Sequence, residues 1–99
     1  MKIVMLMKWD GVTPDQYEKL RGIVKWETDH PKGAVFHVAA FDADGIRVTD
    51  IWDSADDFNN FVQSRLMPGT NEVGIGGAPQ VEILPAYAIF VPDSQGLRL

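Results

Sequence analysis

Ninety-nine residues, 45% hydrophobic and 23% charged, suit one globular domain with a single modest core. A formal net charge of −5 argues against nucleic acid, which is held through basic patches. The absence of cysteine removes disulfides, thiolate metal ligands and cysteine nucleophiles together, and no run is apolar for the roughly 20 residues that span a bilayer.

The first element is a strand over Lys2–Trp9. Ile3, Met5, Met7 and Trp9 fall on one face, Val4 and Leu6 on the other, so it is expected to lie centrally in a sheet. The opening Met1-Lys2 and the apolar run after it have the look of a leader, but Lys8 and Asp10 end the run and no small-residue cleavage site follows. The expectation is a soluble, cytoplasmic protein. Asp10-Gly11 breaks the strand, and Thr13-Pro14 with Gln16 forms a capping-box pattern that starts a helix. Tyr17, Leu20, Ile23 and Val24 make its apolar stripe. Gly22 either weakens this helix or marks a close approach. Glu27 to Gly33 reads as a polar loop.

A hairpin follows. Val35–Phe41 and Ile46–Trp52 flank Asp42-Ala43-Asp44-Gly45, residue types that supply tight turns. Asp50 stands in the second strand, on the same face as Trp52 and Val48 because strand residues two apart share a face. An acid beside an indole on an apolar strand is the most functional-looking feature of the chain. With a four-residue loop, His37 falls opposite Asp50 on that face, and the acid could orient the imidazole for base catalysis. With a three-residue loop and Gly45 in a bulge, His37 turns to the opposite face. Both suit the residues. Asp50 itself reads either as a proton-transfer group in an apolar pocket or as a bracing acid tied to a neighbour.

Ser54 caps a second helix whose core face is Phe58, Phe61, Val62 and Leu66, and Pro68-Gly69 is expected to end it. Residues 69–79 read as a glycine-rich loop, either an ordinary connection or a cover over a pocket mouth. The last strand is expected over Val81–Val91 with Pro85 at an edge or bulge. Residues 92–99 read as a C-terminal tail. The order βαββαβ defines an α+β, ferredoxin-like domain over residues 1–91: an antiparallel sheet with two helices on one face. Apolar residues on both faces of the first and last strands predict that the other face is covered by a second copy, giving a homodimer.

Residues 45–62, GIRVTDIWDSADDFNNFV, and 84–90, LPAYAIF, carry a resemblance that spans nearly the whole chain. They resemble the dimeric α/β-barrel proteins, a group that includes the antibiotic-biosynthesis monooxygenases. The resemblance implies a pocket between sheet and helices, lined by a strand tryptophan matched by Trp52. It also implies an asparagine four residues before that tryptophan and a tyrosine six after, where this chain has Val48 and Phe58. Haem-degrading relatives carry a histidine at the position of Val62, so haem is not expected. Many relatives place a histidine in the last strand at Tyr87.

The resulting expectation is a cofactor-free, metal-free enzyme of cyclase, lyase, isomerase or monooxygenase type, acting on a small apolar, aromatic or polyketide-like molecule. Asp50 and His37 would move protons, Trp52, Phe58 and Val48 would hold the ring system, and Tyr17 or Tyr87 would polarise an oxygen. The alternative is a non-catalytic ligand-binding or structural homodimer. Neither reading involves nucleic acid or a membrane.

Overall fold

Strict alternation along the first strand decides the layering. In the computed structural model, which describes residues 1–92, β1 (Ile3–Asp10) buries Ile3, Met5, Met7 and Trp9 while the residues between them stay half-covered or exposed. The apolar set faces α1 (Pro14–Val24) and a second helical run, and the other set faces away from both. Two more strands, β2 (Ala34–Phe41) and β3 (Gly45–Trp52), form the hairpin, and β4 (Gln80–Pro85) closes the sheet. The order is β2-β3-β1-β4 with every neighbouring pair antiparallel, the ferredoxin-like arrangement.

The hairpin register settles the position of His37. Phe41 pairs with Ile46 and His37 with Asp50, so four residues make the loop and both side chains project to the helix side. The turn is held locally: the Asp42 carboxylate accepts the backbone N–H groups of Asp44 and Gly45 at 2.8 and 3.0 Å, and also pairs with Arg47. Those backbone bonds, ahead of Arg47, hold the Asp42 carboxyl below the usual aspartate range. Gly45 is required by crowding, since a Cβ there would lie 2.3 Å from the Trp9 carbonyl oxygen.

α1 begins as its sequence dictates. Thr13 accepts from the Gln16 N–H at 3.2 Å, and the Gln16 side chain accepts from the Thr13 N–H at 3.0 Å. It ends at Lys25, whose φ of 60° and ψ of 39° are left-handed and turn the chain back toward the sheet. Trp26 follows at once. Arg65 anchors this turn by donating to the carbonyls of Val24 and Asp29.

The second helical run departs from the expectation. α2 (Ala55–Phe61) passes into a π-helical turn, Val62–Leu66, and then into α3 (Met67–Val73). Pro68-Gly69 therefore does not end the helix. In a regular α-helix the Pro68 ring would meet the Ser64 carbonyl. The wider turn ahead of it, in which the Met67 N–H reaches back five residues to Val62, accommodates the ring. Gly69 is buried where α3 packs on α1, and a Cβ there would lie 2.8 Å from Leu20 Cδ1. It allows helix approach instead of a stop. The stop is Gly74, with φ of 84°.

β4 is also shorter than the expected Val81–Val91. It ends at Pro85, opposite Ile3 where β1 begins, with one further bond from the Ala86 N–H to the Lys2 carbonyl at 3.0 Å. Residues 86–91 are not strand, and the expected tail lies, from residue 93 onward, outside the described residues. Among the described residues no helix is long and apolar enough to cross a membrane.

Candidate active site

Four side chains on three elements form one continuous hydrogen-bonded line. Asp50, 3% exposed, projects from β3 beneath the helices. Its Oδ1 lies 2.6 Å from His37 Nδ1, and its Oδ2 accepts the Trp52 indole N–H at 3.1 Å. The Tyr17 hydroxyl, reaching down from α1, lies 2.8 Å from His37 Nε2. A carboxylate only accepts hydrogen bonds, so in a neutral imidazole the proton sits on Nδ1. Nε2 then accepts from the Tyr17 hydroxyl. Burial raises the Tyr17 phenol above its ordinary pKa, the Arg21 charge opposing, so it remains a proton donor across the neutral range.

Aromatic rings surround this line. Tyr17 lies nearly coplanar with the His37 imidazole, end to end through their hydrogen bond with centroids 6.2 Å apart, and Trp26 packs against His37 at 5.0 Å, tilted by 41°. Trp26 in turn meets Trp52 edge-on at 5.1 Å. Every buried polar side-chain atom among the described residues has a hydrogen-bond partner.

The line borders a small chamber of about 80 Å³ between sheet and helices. Met5, Met7, Val48 and Asp50 form its floor on the sheet. Leu20 and Val24 of α1, with Phe58, Phe61 and Leu66 of the second run, form its roof. Ile75, from the glycine-rich loop, closes part of one end, and that loop is pinned where Trp9 donates to the Gly76 carbonyl at 3.0 Å. Outside the His37 end lies an open groove of about 380 Å³. It runs along the β2 edge past His30, Ala34 and Val38.

The expected site residues divide accordingly. The structure brings Asp50, His37, Tyr17, Val48 and Phe58 to the chamber. Trp52 is fully buried under Asp50 and supports it from behind, so it does not line the chamber wall. Tyr87 does not join the site: once Pro85 ends the strand, the alternation that aimed it inward no longer applies, and it is fully exposed. Three residues bordering the chamber had no place in the expected site: Trp26, Arg21 and Glu27. Trp26 follows a left-handed Lys25 that no glycine announces, and Arg21 bonds Glu27 at 2.7 Å across a six-residue separation that no helical rule predicts. No group of three or more His, Asp or Glu among the described residues has the arrangement of a metal site.

The antiparallel sheet with its helices on one face defines the class by fold: a ferredoxin-like α+β domain. Solved structures share its fold over nearly the full chain. SnoaB, a cofactor-independent oxygenase from Streptomyces nogalater, solved as a point variant, matches with a TM-score of 0.65 at 11% identity, covering 93% of this chain and 98% of that one. A monooxygenase from the gene ActVA-Orf6 of Streptomyces coelicolor, solved with the ligand nanaomycin D, matches at 0.59 and 12% identity, covering 93% and 92%. NE2512, a protein of unknown function from Nitrosomonas europaea, matches at 0.68 and 12%, covering 93% and 95%. The resemblance to antibiotic-biosynthesis monooxygenase-type proteins is therefore present in three dimensions, at identities that speak for fold alone. No protein-family model matches the sequence, and no curated protein matches it.

Proposed function

We propose that the protein is a general acid–base enzyme acting on a small aromatic carbon acid, with His37 as base. The observation that carries this reading is the Asp50–His37–Tyr17 line at the wall of an otherwise apolar chamber. Asp50 fixes the imidazole tautomer and supports the positive charge that the ring acquires on protonation. The substrate C–H bond breaks, its proton goes to Nε2, and the electron pair stays on the substrate as an enolate. Tyr17, released from Nε2, donates its hydroxyl to the enolate oxygen. Val48 and Phe58 hold the ring.

Isomerisation, cyclisation and oxygenation of activated aromatics all begin with such a carbanion. The fold shared with SnoaB and the ActVA-Orf6 monooxygenase supports a small-molecule enzyme and leaves these outcomes open. Two-dimensional NMR in D2O tests the step directly with 2-tetralone, a bicyclic ketone with acidic α-hydrogens. The protein should accelerate exchange of those hydrogens, and His37→Ala should abolish the acceleration. Equal rates with both proteins would reject His37 as the base.

One observation favours a second reading. Because Tyr17 already satisfies Nε2, the line could serve as a brace in a non-catalytic ligand-binding protein. The exchange experiment separates the two, since a brace accelerates nothing. The reading also includes a homodimer. The sheet face away from the helices carries Val4, Leu6, Phe36, Ile51 and Leu84, with Leu84 44% exposed. A second copy would cover it, and analytical ultracentrifugation should find dimers for the native chain and monomers for Leu84→Glu.

A further inference from the structure

The chamber and the groove share one wall. Tyr17, Arg21, Trp26, Glu27 and His37 line both. Two polar links tie that wall together: the Tyr17–His37 hydrogen bond at 2.8 Å and the Arg21–Glu27 ion pair at 2.7 Å. The Trp26 indole packs between the imidazole and the core rings Trp52 and Phe61. It is carried on the turn that left-handed Lys25 begins. The chamber alone falls well short of the roughly 300–1,000 Å³ of ordinary ligand sites, whereas the groove lies within that range.

We propose that Trp26 is a gate between chamber and groove, and that the ligand is an amphipathic aromatic lodged across the open gate. Its apolar ring enters the chamber, whose surface is almost entirely hydrocarbon, and its oxygen-bearing end stays among Tyr17, His37, Arg21 and His30. Two features follow from the geometry. The hydrogen bond that helps close the wall is also the one that occupies His37 Nε2, so opening the gate and exposing the imidazole nitrogen are one event. The wall also selects for polarity at one end only, because an oxygen carried past it, in among Met7, Val48, Phe58 and Leu66, would lose water and find hydrocarbon around it. The exposure of Nε2 as a base rests on the proposed acid–base function; the gate and the ligand's polarity do not.

The test uses binding alone. 2-Naphthol fluorescence is followed by stopped flow with the native protein, Trp26→Ala, Glu27→Gln and Val48→Phe. Val48→Phe, which fills the chamber, should weaken binding at least tenfold. Trp26→Ala should raise the association rate constant at least tenfold, and Glu27→Gln should raise it several-fold, which keeps the test available if Trp26→Ala does not fold. At equilibrium 2-naphthol should bind at least tenfold more tightly than naphthalene, which has no polar end, and than 2,6-dihydroxynaphthalene, which has two. Unchanged association rates in the gate variants would overturn the gate. Binding indifferent to Val48→Phe, or equal for the three ligands, would overturn the ligand assignment. Exchange of 2-tetralone is read separately, so either proposal can fail while the other stands.

Discussion

Replacing Asp50 by Asn probes the hydrogen-bonded line at its centre. The carboxylate accepts two N–H groups, from His37 at 2.6 Å and from Trp52 at 3.1 Å, with its side chain almost fully enclosed. An amide has one acceptor and one donor end. If its oxygen keeps the Trp52 indole, its NH2 faces His37 Nδ1, and the ring must surrender the Nδ1 proton and carry it on Nε2. The other orientation opposes the amide NH2 to the indole N–H, a clash of donors in a buried place. Loss of a buried, charge-assisted bond costs about 1–3 kcal/mol. For a domain of this size each kcal/mol moves the melting temperature by roughly 4–8 °C. Nitrogen-15 NMR of the His37 ring reads the tautomer, and calorimetry reads the loss. The expected result is Nδ1–H in the native protein, Nε2–H in the variant, and a melting point lower by at least about 4 °C. With the proton on Nε2 the ring is no longer a base there, and turnover should fall by on the order of 10⁴, as when a histidine's orienting carboxylate becomes an amide. A variant with Nδ1 still protonated and stability unchanged would refute the reasoning.

Three further outcomes follow from the geometry. Gly22 lies within α1 with nothing near the place a Cβ would occupy, so Gly22→Ala should stabilise the protein by about 0.5–1 kcal/mol in urea titrations. Gly69→Ala should be near neutral in stability, because the helix gain offsets displacement of the flexible Leu20 tip. That tip moves into the chamber, so 2-naphthol affinity should fall. The folded state raises the Tyr17 pKa, so its contribution is present below the unfolded value of about 10 and is lost as pH climbs through the folded one. Chemical denaturation at alkaline pH should accordingly weaken the native protein more than Tyr17→Phe.

The sheet was legible because strand alternation is local. Ile3, Met5, Met7 and Trp9 against Val4 and Leu6 assigned the faces of β1 without reference to any other element. Thr13-Pro14 and Ser54 likewise marked helix starts through bonds made within four residues. The register of His37 was not legible, since Asp42 to Gly45 suits two loop lengths. The observed one is selected by contacts to Trp9 and Gly11 from the far end of β1, including the Gly11 N–H to the Asp44 carbonyl at 2.8 Å. Pro68-Gly69 misled for a similar reason: both residues break isolated helices, and here a π-helical turn absorbs one while packing on Leu20 explains the other. Trp26, at the end of its helix, reads in the sequence as a packing residue, because its place at the site depends on a left-handed lysine and on ring partners from three separate elements. Composition has no signal for that.

The central claim is that an aromatic ring enters the space between sheet and helices at the His37 wall. Intermolecular NOEs between 2-naphthol and methyl-labelled protein test it most directly. The account predicts contacts from the ring to Val48, Leu20 and Met5, with the hydroxyl-bearing edge nearest Tyr17 and His37. Contacts confined to Val4, Leu6 and Leu84, on the opposite face of the sheet, would contradict it.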